Sequence, residues 1–405
     1  MISLLDLPEE LLCATFECFL SESDMNAVAQ SNRYLFRILN FRLYRHNVKF
    51  SNGSALIWAA EHGYQNTAQA VLNTSERTDT IHPPIQEALF LAAAGGHRSI
   101  VELLFDKCGD VKNSSASQTA LLKGYEQVAE LLIDHGADVN AQVGVCGGNA
   151  LHAATLRGHQ LLVELLISHR ADVNAQSELC GNALQAASAK GHEQLARLLI
   201  SHGADINVQG GECGGALQAA SLRGHEQLAR LLIDYGADVN AQGGEYGSAL
   251  QAASRAGHKQ LAKLLIDNGA DVNAQSESCG SALQVASYRG HKQLVKVLID
   301  YGADINAPGG AYGSALQAAS RQGHEQLAKL LIDNGANVTT PGGMYGSALW
   351  AASFGGHKQL AKLLIDNGAD VNAQNGEYGN VLRAASLSGN EQLVELLISH
   401  GAHEK

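Results

Sequence analysis

Hydrophobic and polar positions recur along this chain at intervals of about 33 residues, and residues 243–275 show one copy of the pattern. Ser248 is a good N-cap, and apolar residues follow it at helical spacing up to Gly257, which predicts a first short helix. A second helix is predicted before Gly269, because its apolar positions form one i, i+3, i+4 stripe: Leu261, Leu264 and Leu265. Each copy is therefore predicted to be helix, turn, helix and then a glycine-rich connection, which we call the finger.

The residue after the glycine that ends each first helix marks eleven copies: Tyr64, His97, Tyr125, His159, His192, His225, His258, His291, His324, His357 and Asn390. Such a period predicts a stacked solenoid, because one unit cannot bury its own apolar face. The predicted unit boundaries are 51–80, 84–112, 113–141, 142–175, 176–208, 209–241, 242–274, 275–307, 308–340, 341–373 and 374–405. A longer irregular connection, residues 73–85 with Pro83 and Pro84, is expected between the first two units.

The block S-A-L-Q-A-A-S-R-A-G-H…L-L-I-D-N-G-A-D-V-N resembles the ankyrin repeat, T-P-L-H-x-A-A-x-x-G-H…L-L-x-x-G-A-x-x-N. Ser248 stands in place of the family's Thr, Ala249 of its Pro and Gln251 of its His, whereas His152 keeps the His. The resemblance extends from residue 51 to residue 405, and this form of the repeat looks like the expanded ankyrin arrays of fungal proteins. It implies an all-α solenoid of helix-turn-helix units with β-hairpin-like fingers, which binds other proteins.

Residues 1–50 lie outside the repeat and carry the motif Leu7-Pro8-x-Glu10-Leu11-Leu12, an apolar helical pattern, and a second amphipathic stretch with Asn32-Arg33-x-Leu35. This segment resembles an F-box. The resemblance implies a small helical domain that docks onto the Skp-type adaptor of cullin–RING ubiquitin ligases. Its expected adaptor contacts are Leu7, Pro8, Leu11 and Leu12. The alternative is a helical cap that shields the apolar end of the first unit, and one segment can do both.

Charge and composition narrow the class of partner. The chain has 40 acidic and 28 basic residues, a formal charge of −12, which argues against a nucleic-acid partner. No apolar run is long enough to cross a membrane, and residues 1–20 lack a hydrophobic targeting region. With seven cysteines and no leader, the chain is expected to be intracellular, in cytoplasm or nucleus, and monomeric on its own.

Several residue clusters resemble sites of chemistry but are predicted to be structural. The marker residue is a histidine in most units, and we call these side chains the histidine column. Stacked helices place them about 10 Å apart, whereas the ligands of one zinc ion lie about 2.0–2.1 Å from it. Cys146, Cys180, Cys213 and Cys279 share a finger position with tyrosines and are too far apart to pair. The glycine clusters lack the Gly-Lys-Ser/Thr of phosphate-binding loops. We therefore expect no metal, no cofactor and no enzymatic activity.

Variation between units points to the binding surface. We call the two residues before the glycine that ends each first helix the palm: Leu156-Arg157, Ala189-Lys190, Leu222-Arg223, Arg255-Ala256, Tyr288-Arg289, Arg321-Gln322, Phe354-Gly355 and Leu387-Ser388. Six of these eight pairs carry a cation and none carries an acid, whereas the fingers repeat an acid at Glu178, Glu212, Glu245, Glu277 and Glu377. The expected partner contacts are Arg157, Lys190, Arg223, Arg255, Tyr288, Arg289, Arg321 and Phe354. The alternative is a solvated helix face.

These features together predict a substrate receptor of a Skp–cullin–F-box ubiquitin ligase. The palm would hold an acidic segment of a target protein, phosphorylated or not, while the adaptor docks on residues 1–50. The alternative is an ankyrin scaffold or inhibitor without a ligase role, whose N-terminus is only a cap. One local departure is also informative: Arg170 replaces the glycine that ends the second helix in other units, so a left-handed backbone is expected there.

Overall fold

A computed structural model of the chain describes residues 54–74, 83–108, 119–120, 123–143, 148–177, 181–277, 279–310, 313–343, 346–374 and 379–403. Residues 1–53, and with them the predicted F-box-like segment, lie outside the described residues. The described residues form two compact units, which lie within residues 1–143 with 149–171, the N-terminal unit, and within residues 144–148 with 172–405, the C-terminal unit. In both units the described secondary structure is almost entirely helical.

Among the described residues, the helices of the N-terminal unit are α1 (Ser54–His62), α2 (Gln65–Thr74), α3 (Pro83–Gly95), α4 (Arg98–Cys108), α5 (Glu126–Asp134), α6 (Ala150–Arg157) and α7 (Gln160–Ser168). Two short strands, β1 (Gln142–Val143) and β2 (Gly148–Asn149), form a two-stranded sheet. Helix α1 packs on α3 and α2 packs on α4, so first helices lie against first helices and second against second. Their apolar faces form one core that includes Leu56, Leu89, Ile100 and Leu104.

The expectation that Pro83 and Pro84 belong to an irregular connection is wrong, because α3 begins at Pro83. The first N–H groups of an α-helix have no partner within the helix, so a proline in the first turn removes no hydrogen bond. The fixed φ of proline also suits a helix start. The two prolines therefore initiate the first helix of their layer.

The C-terminal unit contains seven helix pairs among its described residues. They are α8 (Ala183–Lys190), α9 (Glu193–Ser201), α10 (Ala216–Arg223), α11 (Glu226–Asp234), α12 (Ala249–Ala256), α13 (Lys259–Asp267), α14 (Ala282–Arg289), α15 (Lys292–Asp300), α16 (Ala315–Gln322), α17 (Glu325–Asp333), α18 (Ala348–Phe354), α19 (Lys358–Asp366), α20 (Val381–Leu387) and α21 (Glu391–Ser399). We call each pair a layer. Each first helix packs on the first helices of adjacent layers, and each second helix does the same.

The layer of α12 and α13 shows why these residues fold in this way. The Ser248 side chain accepts a hydrogen bond from the Gln251 backbone N–H, and Gln251 returns the bond, so the predicted N-cap is confirmed as a capping box. Ala252 and Ala253 are fully buried, and these small side chains allow first helices to approach closely. The predicted stripe on α13 forms the core of the layer, because Leu261, Leu264 and Leu265 are buried.

An asparagine ladder joins successive layers of the C-terminal unit. Asn240 Nδ2 donates to the Gly269 carbonyl (2.9 Å), and Asn240 Oδ1 accepts from the Asp271 backbone N–H (2.8 Å). Equivalent pairs of bonds start from Asn174, Asn207, Asn273, Asn306 and Asn372. Thr339 occupies this position in the layer of α16 and α17, and its hydroxyl instead donates to Asn337 Oδ1 (2.8 Å).

Glutamine and histidine side chains make two further connections between layers. Gln251 Nε2 donates to the carbonyls of Ala274 (3.2 Å) and Gly280, which lie before and within the next finger. His291 Nε2 donates to the Arg255 carbonyl of the preceding layer (3.2 Å). The histidine column therefore has the structural role expected of it, and the same bond recurs from His258, His324 and His357.

A column of serine hydroxyls is buried between the first helices of the C-terminal unit. Each side chain is fully buried, and its hydroxyl has no hydrogen-bond partner among the described residues: Ser188, Ser221, Ser254, Ser287, Ser320 and Ser353. Ser386 in the last layer differs, because its hydroxyl donates to the Leu382 carbonyl (3.0 Å). A buried hydroxyl without a partner loses its bonds to water and gains none, which destabilises the folded state.

The predicted left-handed backbone at Arg170 is confirmed, with φ at 63°. Its equivalent Gly203 has φ at 86°, and a Cβ there would have nothing within 4 Å, so the penalty at Arg170 comes from the backbone itself. We expect Arg170→Gly to raise the melting temperature, with a net gain of about 0.5–1 kcal/mol after the greater unfolded-state freedom of glycine. Differential scanning calorimetry measures this. The reverse change, Gly203→Arg, is expected to lower the melting temperature, and no gain from Arg170→Gly would contradict the account.

Candidate functional site

The palm residues of the C-terminal unit stand at the C-terminal ends of its first helices, where each helix places the same two positions. Lys190, Arg223 and Arg289 are exposed and end α8, α10 and α14. Arg255, Tyr288 and Arg321 are half-buried in the preceding position, and Phe354 is 37% exposed at the end of α18. In the N-terminal unit, Arg157 is exposed at the end of α6. The expected contacts Leu7, Pro8, Leu11 and Leu12 lie outside the described residues.

Two palm arginines lie over aromatic rings. The guanidinium carbon of Arg255 is 5.1 Å from the centroid of the Tyr246 ring, which belongs to the finger before α12. The guanidinium carbon of Arg321 is 5.0 Å from the centroid of the Phe354 ring in the next layer. Both distances are within the range at which a ring quadrupole attracts a cation. These contacts hold the two cations in place and leave them charged.

A buried tryptophan supports the second of these pairs. The Phe354 and Trp350 rings stack with centroids 5.1 Å apart and planes at 9°, and Trp350 is 3% exposed. Trp350 stands where other layers have the bridging glutamine, such as Gln251. In the layer of α18 and α19, a tryptophan that stacks on Phe354 therefore stands in place of the bridging glutamine of other layers.

The charged groups of the second helices pair differently from those of the palm. Arg197 and Glu193 form an ion pair one helical turn apart (2.8 Å), and this hydrogen bond to Glu193 raises the pKa of Arg197. Tyr301 donates to Asp267 (2.8 Å), which raises the pKa of the Tyr301 hydroxyl. Within the described ranges, no carboxylate lies within ion-pair distance of Arg223, Arg255 or Arg289. The palm therefore keeps a net positive charge.

The fingers present acids near the palm. Glu212, Glu245 and Glu277 are exposed, and the Glu245 backbone N–H donates to the Glu212 carbonyl (3.0 Å), so adjacent fingers are joined through their backbones. Each of five fingers is closed by one antiparallel bridge: Ser177–Gly181, Gly210–Gly214, Gly243–Gly247, Ser276–Gly280 and Gln374–Asn380. Glu178 and Glu377 lie outside the described residues. In the described fingers, acids thus stand at the tips and cations on the palm.

Among the side chains that the structure describes, no three of His, Cys, Asp or Glu come close enough to hold a metal ion. Cys213 and Cys279 form no disulfide within the described residues, while Cys146 and Cys180 lie outside them. None of the described helices has the length and apolar character needed to span a membrane.

The repeat pattern identifies the palm positions, Phe354 among them, but it does not indicate that Phe354 holds Arg321. It also does not indicate that the Tyr246 ring holds Arg255 or that Trp350 stacks on Phe354. One signal was available: Trp350 interrupts a column that is glutamine in five consecutive layers, from Gln185 to Gln317. Whether the palm residues contact a partner stays a prediction.

Two family models match the chain. The model described as ankyrin repeats in many copies matches residues 217–266, 249–299 and 348–398. The model described as ankyrin repeats in three copies matches residues 56–143, 140–210 and 275–342. Together the matches cover well over half of the sequence. No curated relative matches the sequence.

Proposed function

Since this chain belongs to the ankyrin-repeat family, whose repeats bind other proteins, we propose that it is the substrate-recognition subunit of a Skp–cullin–F-box ubiquitin ligase. The palm binds the target protein and residues 1–50 bind the Skp-type adaptor. The chain supplies no cofactor and carries out no chemical step. It acts by holding the target close to the ubiquitin-carrying enzyme, which raises the effective concentration of the reacting groups.

The observation that supports target binding is the charge of the palm. The chain carries a formal charge of −12, yet the palm positions of the C-terminal unit hold five cations and no acid: Lys190, Arg223, Arg255, Arg289 and Arg321. Arginine and aromatic side chains contribute most of the binding energy in many protein interfaces. The palm combines both, which favours an acidic segment as its ligand.

The support for adaptor binding comes from residues 1–50 alone. The Leu7-Pro8-x-Glu10-Leu11-Leu12 motif and the downstream Asn32-Arg33-x-Leu35 follow the F-box pattern, and the family models match only from residue 56 onward. Because the segment is not a repeat, we infer a separate role for it, and docking on an adaptor is the role that its motif favours.

One observation favours the second candidate, an ankyrin scaffold or inhibitor whose N-terminus is only a cap. Trp58 on α1 occupies the position of Ala252, which is fully buried between layers, yet Trp58 is 49% exposed. It stacks on Tyr64, also exposed, with ring centroids 4.9 Å apart. Such an aromatic surface on the first described helix is suited to being covered by the preceding chain.

Co-purification of the Skp-type adaptor distinguishes the ligase subunit from the scaffold or inhibitor. We expect Leu7→Ala with Pro8→Ala to abolish co-purification of the Skp-type adaptor and to leave the helical circular dichroism unchanged, because the motif lies outside the array. Ser21→Ala, in the same segment but outside the motif, is the matched control and should retain the adaptor. A wild-type chain that recovers targets but never the adaptor would favour the scaffold.

The palm is tested by charge reversal. We expect the change of Arg223, Arg255, Arg289 and Arg321 to Glu to remove target proteins from a quantitative pull-down. The matched control reverses four cations on the second helices of the same layers: Arg230, Lys263, Lys296 and Lys329. Both variants change the net charge equally, so only a local role of the palm distinguishes them. Equal recovery of targets by both variants would contradict target binding at the palm.

A further inference from the structure

We propose that the palm of the C-terminal unit selects an extended segment with two anionic side chains six residues apart and apolar side chains between them. The proposal rests on the target-binding half of the proposed function and specifies its ligand. It assigns the anionic contacts to Arg255 and Arg321 and the apolar contact to Tyr288.

The first step is the placement of the two guanidinium groups. Arg255 lies over Tyr246 and Arg321 lies over Phe354, at 5.1 and 5.0 Å. A guanidinium held against a ring loses freedom of movement but keeps its charge and its planar fork of N–H donors. Donors in a fixed fork match the two oxygens of a carboxylate or phosphate. The rings therefore prepare these cations for bidentate binding.

The second step is the distance between them. Arg255 and Arg321 occupy equivalent positions on α12 and α16, with α14 between these helices. Packed helices lie about 8–10 Å apart, so two layers span roughly 16–20 Å. An extended chain rises about 3.3 Å per residue and places alternate side chains on one face, so residues i and i+6 are about 20 Å apart on the same face. Residues i and i+4 span only about 13 Å.

The third step is the layer between the two arginines. Tyr288 occupies the equivalent position on α14 and is half-buried. In an extended ligand, residues i+2 and i+4 share a face with the two anions and flank this layer. Apolar side chains at these positions can pack on the Tyr288 ring. The exposed carboxylate of Glu245, next to Tyr246 in the finger, disfavours an anionic ligand displaced toward the fingers.

The test measures fluorescence anisotropy of labelled peptides with the full chain. The probe peptide contains Glu-Ser-Leu-Ser-Leu-Ser-Glu, and the comparison peptide has the same composition with the two glutamates four residues apart. We expect the six-residue spacing to bind about tenfold more tightly, which corresponds to about 1.4 kcal/mol. A second pair of peptides carries phosphoserine in place of glutamate, and the tighter of the two six-residue peptides identifies carboxylate or phosphate as the preferred anion.

Variants of the chain assign the spacing preference to the ring-held arginines. Arg321→Lys keeps the charge but lacks the planar fork, and Phe354→Leu keeps an apolar side chain but lacks the ring. Both are expected to reduce the preference to less than about threefold. Arg230→Lys, on an exposed arginine of the second helix α11 outside the palm, is the matched control and should keep it. Melting curves verify that each variant is folded.

Equal affinity for the two spacings, or an intact preference in Arg321→Lys, would overturn the proposal. Such a result leaves the proposed function separately testable. If charge reversal of the palm still removes target proteins, the palm binds its target without measuring this distance. If charge reversal also has no effect, both the ligand and target binding at the palm are wrong.

Discussion

A triple variant with Ser254, Ser287 and Ser320 changed to alanine is expected to be more stable than the wild-type chain. Each of these hydroxyls is fully buried without a partner in the described part of the chain. Removing such a group recovers about 1 kcal/mol or more of desolvation energy, because no hydrogen bond is lost in exchange. The three sites lie in successive layers with no shared contact between hydroxyls, so the gains should add to about 3 kcal/mol.

Melting temperature and hydrogen exchange of α12, α14 and α16 measure this gain. Ser386→Ala is the comparison at the equivalent position of the last layer, where the serine is exposed and its hydroxyl does donate a hydrogen bond, to the Leu382 carbonyl at 3.0 Å. That change is expected to be neutral or destabilising. A triple variant that melts at or below the wild-type temperature would show that the buried hydroxyls find partners in solution.

Gly257→Ala is expected to destabilise the array far more than Gly269→Ala, although both glycines end helices of the same layer with φ near +81° and +91°. A Cβ on Gly257 would lie 2.7 Å from the His291 ring, whereas a Cβ on Gly269 has nothing within 4 Å. Alanine at Gly269 therefore adds only backbone strain, about 1 kcal/mol. Alanine at Gly257 also displaces His291 from the Arg255 carbonyl, for a total of about 3 kcal/mol.

The shift in urea midpoint of the two glycine variants measures the difference. Both substitutions replace glycine by alanine and restrict the unfolded chain equally. The difference between their midpoints therefore reports on the folded state. In a His291→Ala background the two losses should become similar, since no ring remains to be displaced. Equal losses in the wild-type background would mean that the histidine column contributes little to the contact between layers.

Features that depend on one unit alone were predictable from the sequence. The capping box at Ser248, the left-handed end at Gly257 and the apolar stripe on α13 follow from residue type and helical spacing. Arg170 was predictable for the same reason, because only the backbone of its own turn decides its conformation. The repeated pattern strengthens each of these inferences, since the same residues recur in many copies.

Features that depend on contacts between layers were not predictable in the same way. The Asp-x-Asn pattern is visible in the sequence, but the bond from Asn240 to the Gly269 carbonyl exists only because layers stack in one register. The same holds for the candidate site: the palm positions followed from the repeat, whereas the contact of Arg321 with Phe354 joins residues of different layers. Sequence periodicity indicates that layers stack but not which side chains meet across them.

Thr339 stands where other layers have the ladder asparagine, and we expect this difference to affect how the C-terminal unit unfolds. In a solenoid each layer is held only by its neighbours, so cooperativity along the stack is limited by the weakest junction. The ladder bonds that Asn306 makes on one side and Asn372 on the other have no counterpart at Thr339 among the described residues. We therefore expect the last two layers to behave as a separate folding block, which opens first on heating and exchanges its amides while the preceding layers stay closed. Phe354 belongs to that block and Arg321 to the one before it, so a ligand bound across both would delay the opening.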